Sequence, residues 1–401
     1  MAGVSEKARF YLEKAVPQLR EWEDKSIFTK DEIRTIVQKR SDFEHRVLSP
    51  GNTPSDYLEY ADWEKTLDSL RIKRCQRLKI RNLSSAHTAQ VKLLSIYDRG
   101  VGRHPGHRSL WVAYLDYAAS IKATKRWRLT VTRALRMRPT DAGLWIMAAN
   151  KMAGHGDMAS ARRFYMRACR FCVYDGTVWA EYARCEMVWL AKLALKNSNN
   201  KGAKPIDAVK PDQVDENDRI SLGGSDDESD SDDDEIVRAD ASGKAAAIFS
   251  TEAKQELTNP ALDGALPLAI FKIARNQKFW DANAAELFFN VFTSFRGLPA
   301  HENLVQAVMD SLHESFPQSP VTLICQIRRP VAGISPLTAD FPRGLREIVP
   351  LLKEALVTAN DKKVFGEKAT QWLDDLLATK GLDADIAKVL EYLKSLAMAV
   401  A

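Results

Sequence analysis

Trp111, Trp145 and Trp179 stand 34 residues apart, and that fixed interval restricts what this chain can fold into more than any other feature. Two further columns keep the same step, Tyr97/Val131/Tyr165 and Arg99/Arg133/Arg167. Around the first two Trp residues the offsets i, i+3, i+4 and i+7 are apolar or aromatic, Trp111, Tyr114, Leu115 and Ala118, then Trp145, Ala148, Ala149 and Met152, which is one face of a helix. The second column falls on a following helix, where a bulky residue, an Arg and a small residue recur together: Tyr97-Asp-Arg-Gly100, Val131-Thr-Arg-Ala134, Tyr165-Met-Arg-Ala168. The small residue admits a neighbouring backbone, and the bulky one fills the groove between helices. Pro105 and Pro139 end the second helix of successive units, because proline cannot continue a helix. Neither helix of such a pair covers its apolar face alone, so pairs must stack on one another.

The 401 residues are sufficient for two or three domains, and the overall charge of +5 conceals a segregation. From Arg71 to Arg138 there are 17 Lys/Arg against Asp98 and Asp116 alone, whereas residues 201–260 hold 7 Lys/Arg against 16 Asp/Glu. Five cysteines without a small-scaffold spacing suit a reducing compartment. No run of 18 apolar residues occurs, and Ser5 to Arg20 has no signal-peptide core, so neither membrane insertion nor secretion is expected.

Along the chain, residues 1–50 read as two helices, the second opened by the capping box Thr29-Lys-Asp-Glu32. Pro50 to Pro54 is a break, after which a long helix is predicted from about Ser55 to Arg81. Tyr57, Tyr60, Trp63 and Glu64 reproduce the offsets of Trp179, Tyr182, Cys185 and Glu186, marking an early, lengthened repeat. Between Lys196 and Leu257 the periodicity vanishes, and the Gly, Pro and acidic content points to disorder. Helical patterning then resumes to the C-terminus, and no segment alternates as a strand. The expected division is 1–50 docking segment, 51–196 repeat array, 197–257 acidic insert and 258–401 C-terminal helical region.

The units Arg162-x-x-Tyr165-x-Arg167-Ala168 and Trp179-x-x-Tyr182-x-x-x-Glu186 resemble HAT repeats, the TPR-like helical pairs of RNA-processing assemblies. The unit at Trp145 has Ala148 and Met152 where that pattern has Tyr and Glu, and Ala118 replaces the Glu after Trp111. The N-terminal stretches Lys7 to Pro17, Glu21-Trp-Glu-Asp24, Phe28 to Ile33 and Lys39 to Arg46, with Leu266 to Ala274, resemble the U3 small nucleolar RNA-associated protein 6 family. The resemblance implies an all-α, α-α superhelix of HAT/TPR type with a disordered acidic insert. It further implies a nuclear, nucleolar scaffold in the UTP-B subcomplex of the small-subunit processome, joined to WD40-propeller subunits. Such a subunit acts with the U3 snoRNP on the pre-rRNA that gives 18S rRNA. The same repeats also occur in scaffolds of splicing and of pre-mRNA 3′-end formation, and a directly RNA-binding module is a third reading.

Candidate contacts follow from charge and exposure. Arg71, Lys73, Arg74, Arg77, Lys79 and Arg81, with Arg103, Lys125, Arg126, Arg128, Arg136 and Arg138, suit either a phosphate backbone or an acidic protein; alternatively they form a solvated face or brace repeats. The fixed repeat position of Arg99, Arg133 and Arg167 argues that those three are structural. Phe10, Tyr11, Trp22, Phe28 and Ile36 exceed what two lone helices can bury and are candidates for protein docking. Ser225, Ser229 and Ser231 each have an acidic residue three positions on, as acid-directed kinases favour, although a solubilising spacer reads equally well. Cys169-x-x-Cys172 ends a helix and has no second ligand pair, so buried thiols are expected there rather than a metal. Neither G-x-x-x-x-G-K-[ST] nor G-x-S-x-G occurs. The expectation is a protein that is not an enzyme and takes no cofactor.

Overall fold

The computed structural model describes residues 2–80, 83–200 and 264–398. Among these every regular element is a helix: α1 (Ala2–Glu13), α2 (Val16–Asp24), α3 (Lys30–Leu48), α4 (Pro54–Arg77), α5 (Thr88–Arg103), α6 (Arg108–Ser120), α7 (Thr124–Met137), α8 (Ala142–Gly154), α9 (Met158–Phe171) and α10 (Gly176–Asn200). Beyond the undescribed stretch come α11 (Ala265–Arg275), α12 (Ala282–Thr293), α13 (His301–Ser315), α14 (Pro320–Arg328), α15 (Phe341–Thr358), α16 (Lys362–Leu377) and α17 (Ala384–Met398). The all-α expectation holds. Two compact units divide the chain, Met1–Lys151 and Met152–Ala401. Most of the acidic insert, with Ser225, Ser229 and Ser231, lies outside the described residues, although its first four residues, 197–200, continue α10.

The first 50 residues form three helices, not two. The break falls at Lys14-Ala15, and Pro17, which has no N–H to give, sits in the first turn of α2 where none is needed. The capping box of α3 forms as read: the Thr29 side chain accepts from the Glu32 N–H at 3.3 Å, and the Glu32 carboxylate accepts from the Thr29 N–H at 2.9 Å. Helix α4 stops at Arg77, short of the predicted Arg81, because Lys79 adopts a left-handed φ of 57° and the Ile80 N–H turns back to the Cys75 carbonyl at 3.0 Å. The same reversal closes α2 at Ser26 and α6 at Lys122, with φ of 53° and 57°, and α8 at Gly156, with φ of 86°.

Within each unit a helix touches the next and, repeatedly, the next but one: α4 meets α5 and α6, α12 meets α13 and α14, α14 meets α15 and α16. That neighbour pattern belongs to stacked helical hairpins. The register columns are core. Trp111, Tyr97, Tyr114, Tyr165 and Ala134 are fully buried. Trp111 and Trp145 each donate their indole N–H to the carbonyl of the proline six residues before, Pro105 and Pro139, at 2.8 Å, so the two columns are bonded to each other. Ring pairs 17 residues apart stack nearly flat: Phe43 on Tyr60 at 5.0 Å, Tyr97 on Tyr114 at 5.6 Å and Tyr165 on Tyr182 at 5.0 Å. At the corresponding positions stand Val131 and Ala148, so both rings are absent together. In the second unit Phe271, Phe288, Phe289 and Phe292 anchor one core, and Phe341, Ile348, Phe365 and Leu390 another.

Candidate functional site

The basic stretch separates into side chains the fold has used and side chains it has left outward. Arg71 is buried against Asp68 at 2.7 Å. Arg74 grips Glu32 with two N–H groups at 2.8 and 2.7 Å and donates to the Ile27 carbonyl at 3.0 Å. Those bonds, with the capping N–H of Thr29, hold the Glu32 carboxyl well below its usual range, at about 2. Arg126 and Arg133 both pair with Asp98 of α5, Arg133 at 3.7 Å, and Arg126 also donates to the Tyr114 hydroxyl at 2.8 Å. Arg138 pairs with Asp141 at 3.2 Å and donates to the Gly106 carbonyl. Arg71, Arg74, Arg126 and Arg138 thus each answer a carboxylate of their own fold, Arg126 while remaining exposed.

Two of the three register arginines, Arg99 and Arg133, act between helices of successive repeats. Arg99 of α5 reaches back to Glu44 of α3 at 2.7 and 3.1 Å and lies 4.1 Å over the Tyr11 ring. Arg133 of α7 reaches back in the same sense to α5. Arg167 is exposed. Below Arg99, an ion-pair cluster that sequence reading missed joins three helices: Arg40 of α3 makes two bonds to Glu64 of α4 at 2.8 and 2.9 Å, and Lys92 of α5 adds a third charge at 3.0 Å. Burial pushes the Glu64 carboxyl up, but Arg40 and Lys92 outweigh it and leave it below its ordinary range. The signal was present in the repeats, because Arg162 and Glu186, also 24 residues apart, make the same two bonds at 2.7 and 2.9 Å.

Besides Arg126, the exposed candidates are Lys73, Arg77, Lys79, Arg103, Lys125, Arg128 and Arg136; Arg81 lies outside the described residues. Helix direction sorts these. Lys92 meets Glu64, while Gly100 packs against the Tyr57 ring with no room for a Cβ before 3.2 Å, so α5 runs antiparallel to α4. The short turns after α5 and α6 reverse the chain twice more, setting α6 parallel to α4. Lys73, Arg77 and Lys79 at the close of α4 therefore face the same end of this unit as Lys122, Lys125 and Arg128 at the α6–α7 turn. Arg103 and Arg136 lie towards the opposite end. Lys122 was not among the sequence candidates.

Of the docking candidates, Trp22, Phe28 and Ile36 are buried in a core that includes Leu67 and Cys75 of α4. The partner that covers them is the next helix of the chain, which corrects the expectation for these three. Tyr11 is half-buried under Arg99, and Phe10 alone of the five is exposed. Burial pushes the Cys169 thiol up to about 12, which disfavours the thiolate that a metal or redox role needs. Among the described residues no group of three His, Cys, Asp or Glu is placed to hold a metal ion, and no helix is long and apolar enough to cross a membrane.

Comparison with known proteins bears on the segment that builds this end. Residues 12–96, from the end of α1 into α5, match the family model described as U3 small nucleolar RNA-associated protein 6. The chain is 32% identical to the U3 small nucleolar RNA-associated protein 6 of Schizosaccharomyces pombe over 193 residues, 47% of this chain and 40% of that protein. It is 26% identical to the Homo sapiens homolog of that protein over 213 residues, 51% of this chain and 35% of the homolog. The matched stretch thus spans well under half the length of these relatives. Over this N-terminal part the chain is similar to the U3 small nucleolar RNA-associated protein 6 family.

Proposed function

We propose that the chain is a scaffold subunit, not an enzyme, of a nucleolar pre-ribosomal complex: the UTP-B part of the small-subunit processome, supporting U3 snoRNP-dependent processing of the 18S rRNA precursor and so 40S biogenesis. The observation that carries this reading is the family match over residues 12–96, a segment whose charged and aromatic residues serve to join helices. Arg40, Glu44, Glu64 and Arg99 are spent on one another across α3, α4 and α5. Such stacked hairpins act by presenting extended surfaces to several partners at once. The expected partners are WD40-propeller subunits, with the U3 snoRNP and pre-rRNA reached directly or through them.

The test is affinity purification of the tagged chain from nuclear extract, with and without RNase. U3 snoRNA should co-purify, and WD40 subunits should persist after RNase treatment. Recovery of a spliceosomal snRNA in place of U3 would overturn the reading, and loss of every protein partner on RNase treatment would replace the scaffold with an RNA-tethered module.

A further inference from the structure

We infer that the end of the first unit formed by the close of α4 and the α6–α7 turn is an RNA-backbone contact surface, carried by Lys73, Arg77, Lys79, Lys122, Lys125 and Arg128. The inference rests on the proposed function and gives it a site.

Three observations place it there. Lys65 of α4 lies 5.8 Å over the ring of Tyr117, one turn before the end of α6, so α4 continues past α6 from about Asp68 to Arg77. Those ten residues extend roughly 15 Å at ~1.5 Å per residue. The inner side of this overhang is braced: Arg71 on Asp68, Arg74 on Glu32, and Leu67 and Cys75 in the core with Trp22 and Phe28. Its outer side carries Lys73 and Arg77 one turn apart on one stripe, with Lys79 beyond.

Charge is left over at this end. Asp68, Glu32 and Asp98, the carboxylates bound to its arginines, are already paired with Arg71, Arg74 and Arg126. The six named cations are exposed and form no ion pair among the described residues. Residues 12–96, which match the family model, supply both the overhang and its brace.

A phosphate backbone suits this surface better than an acidic protein segment. Leu70, Ile72, Leu78 and Leu129 are exposed among the cations, and the cavity against the N-terminal helices, about 460 Å³, is lined by Leu12, Ile33 and Val37 and not by this end. An acidic amphipathic helix needs an apolar groove to enter. A phosphate chain needs only spaced cations and gains from the counterions it releases.

The experiment uses the full 401-residue chain and a fluorescent 15-nucleotide uridine RNA, with anisotropy followed from 50 to 200 mM salt. Wild-type protein should bind with an affinity that falls steeply with salt. The triple variant Lys73→Glu, Arg77→Glu, Lys79→Glu should weaken binding at least tenfold and flatten the salt slope by about 2, at roughly 0.7 per lost phosphate contact. A control triple, Lys353→Glu, Lys362→Glu, Lys363→Glu, makes the same charge change on the second unit and should stay within twofold of wild type. Matching helical circular dichroism and melting confirm that both variants fold. An equal loss in both triples, no binding by wild type, or tighter binding to a polyglutamate peptide than to the RNA each overturns the inference. Failure of the proposed function is separate: if the wild-type chain does not recover U3 snoRNA from extract, that reading falls whatever the uridine RNA does. If the α4 triple recovers U3 snoRNA as well as wild type, only the contact surface falls.

Discussion

Glu64 is closed off from solvent with Arg40 on one side and Lys92 on the other, and α3, α4 and α5 owe their mutual register to that meeting. Glu64→Gln leaves two cations beside a neutral amide, and the expected loss is about 3–5 kcal/mol, read from urea unfolding. A change under about 1 kcal/mol would mean water reaches the cluster. Lys92 makes a separate prediction about pH. Burial penalises its charge more than Glu64 favours it, and its pKa sits at about 8 against a usual 10.5. Between these values the unfolded chain holds more protons than the folded one, so the lysine's contribution to stability rises with pH from about 8 to 10.5. The stability of wild type relative to Lys92→Met should therefore improve across that window, and a difference flat in pH would show an ordinary lysine.

At the scale of elements, helix ends decide where the basic residues lie. Lys122 closes α6 with a φ of 57°, a conformation in which a side chain meets the following carbonyl and glycine does not. Lys122→Gly should be neutral or stabilise by up to about 1 kcal/mol in thermal unfolding; a clear loss would mean the lysine side chain holds the turn. Thr29→Ala removes the acceptor for the Glu32 N–H and should cost about 1 kcal/mol. Glu32 also ties α3 to α4 through Arg74, and its carboxyl is depressed to about 2 from 4.5. Its contribution is present above pH 4.5 and is lost as pH falls towards 2. Acid unfolding of Glu32→Gln should be correspondingly less steep than that of wild type over that range.

At the scale of the molecule, the first 50 residues depend on α4 for their core. Trp22, Phe28 and Ile36 share it with Leu67 and Cys75 of that helix, so a fragment 1–50 should show no cooperative melt whereas 1–140 should. A sharp transition in the short fragment would show that α1 to α3 are self-sufficient. This dependence was half legible: the excess of apolar residues in 1–50 was visible, but the cover came from the same chain and not from another protein. The repeat columns were legible throughout, because a residue buried at every turn of a stack must recur with the period of the stack. Arg40 and Phe43 were legible in principle, since they stand to Glu64 and Tyr60 as Arg162 and Tyr165 stand to Glu186 and Tyr182. The 20 extra residues between this repeat and the next hid the match.

Period and composition by themselves determined that this chain is a stack of helical hairpins, which Trp and Tyr positions form its core, and that positive charge gathers between residues 71 and 138. They could not say which of those charges remain for a partner. An arginine that braces a repeat and one that faces solvent have the same side chain and the same local sequence, and they differ only in whether a carboxylate from another helix lies within about 4 Å. Glu32 is 42 residues from Arg74, and Asp98 is 28 from Arg126, distances along the chain that only folding closes. The tertiary structure thus decided that Arg74 and Arg126 are paired across the fold while Lys73, Arg77, Lys79, Lys122, Lys125 and Arg128 face outward at one end.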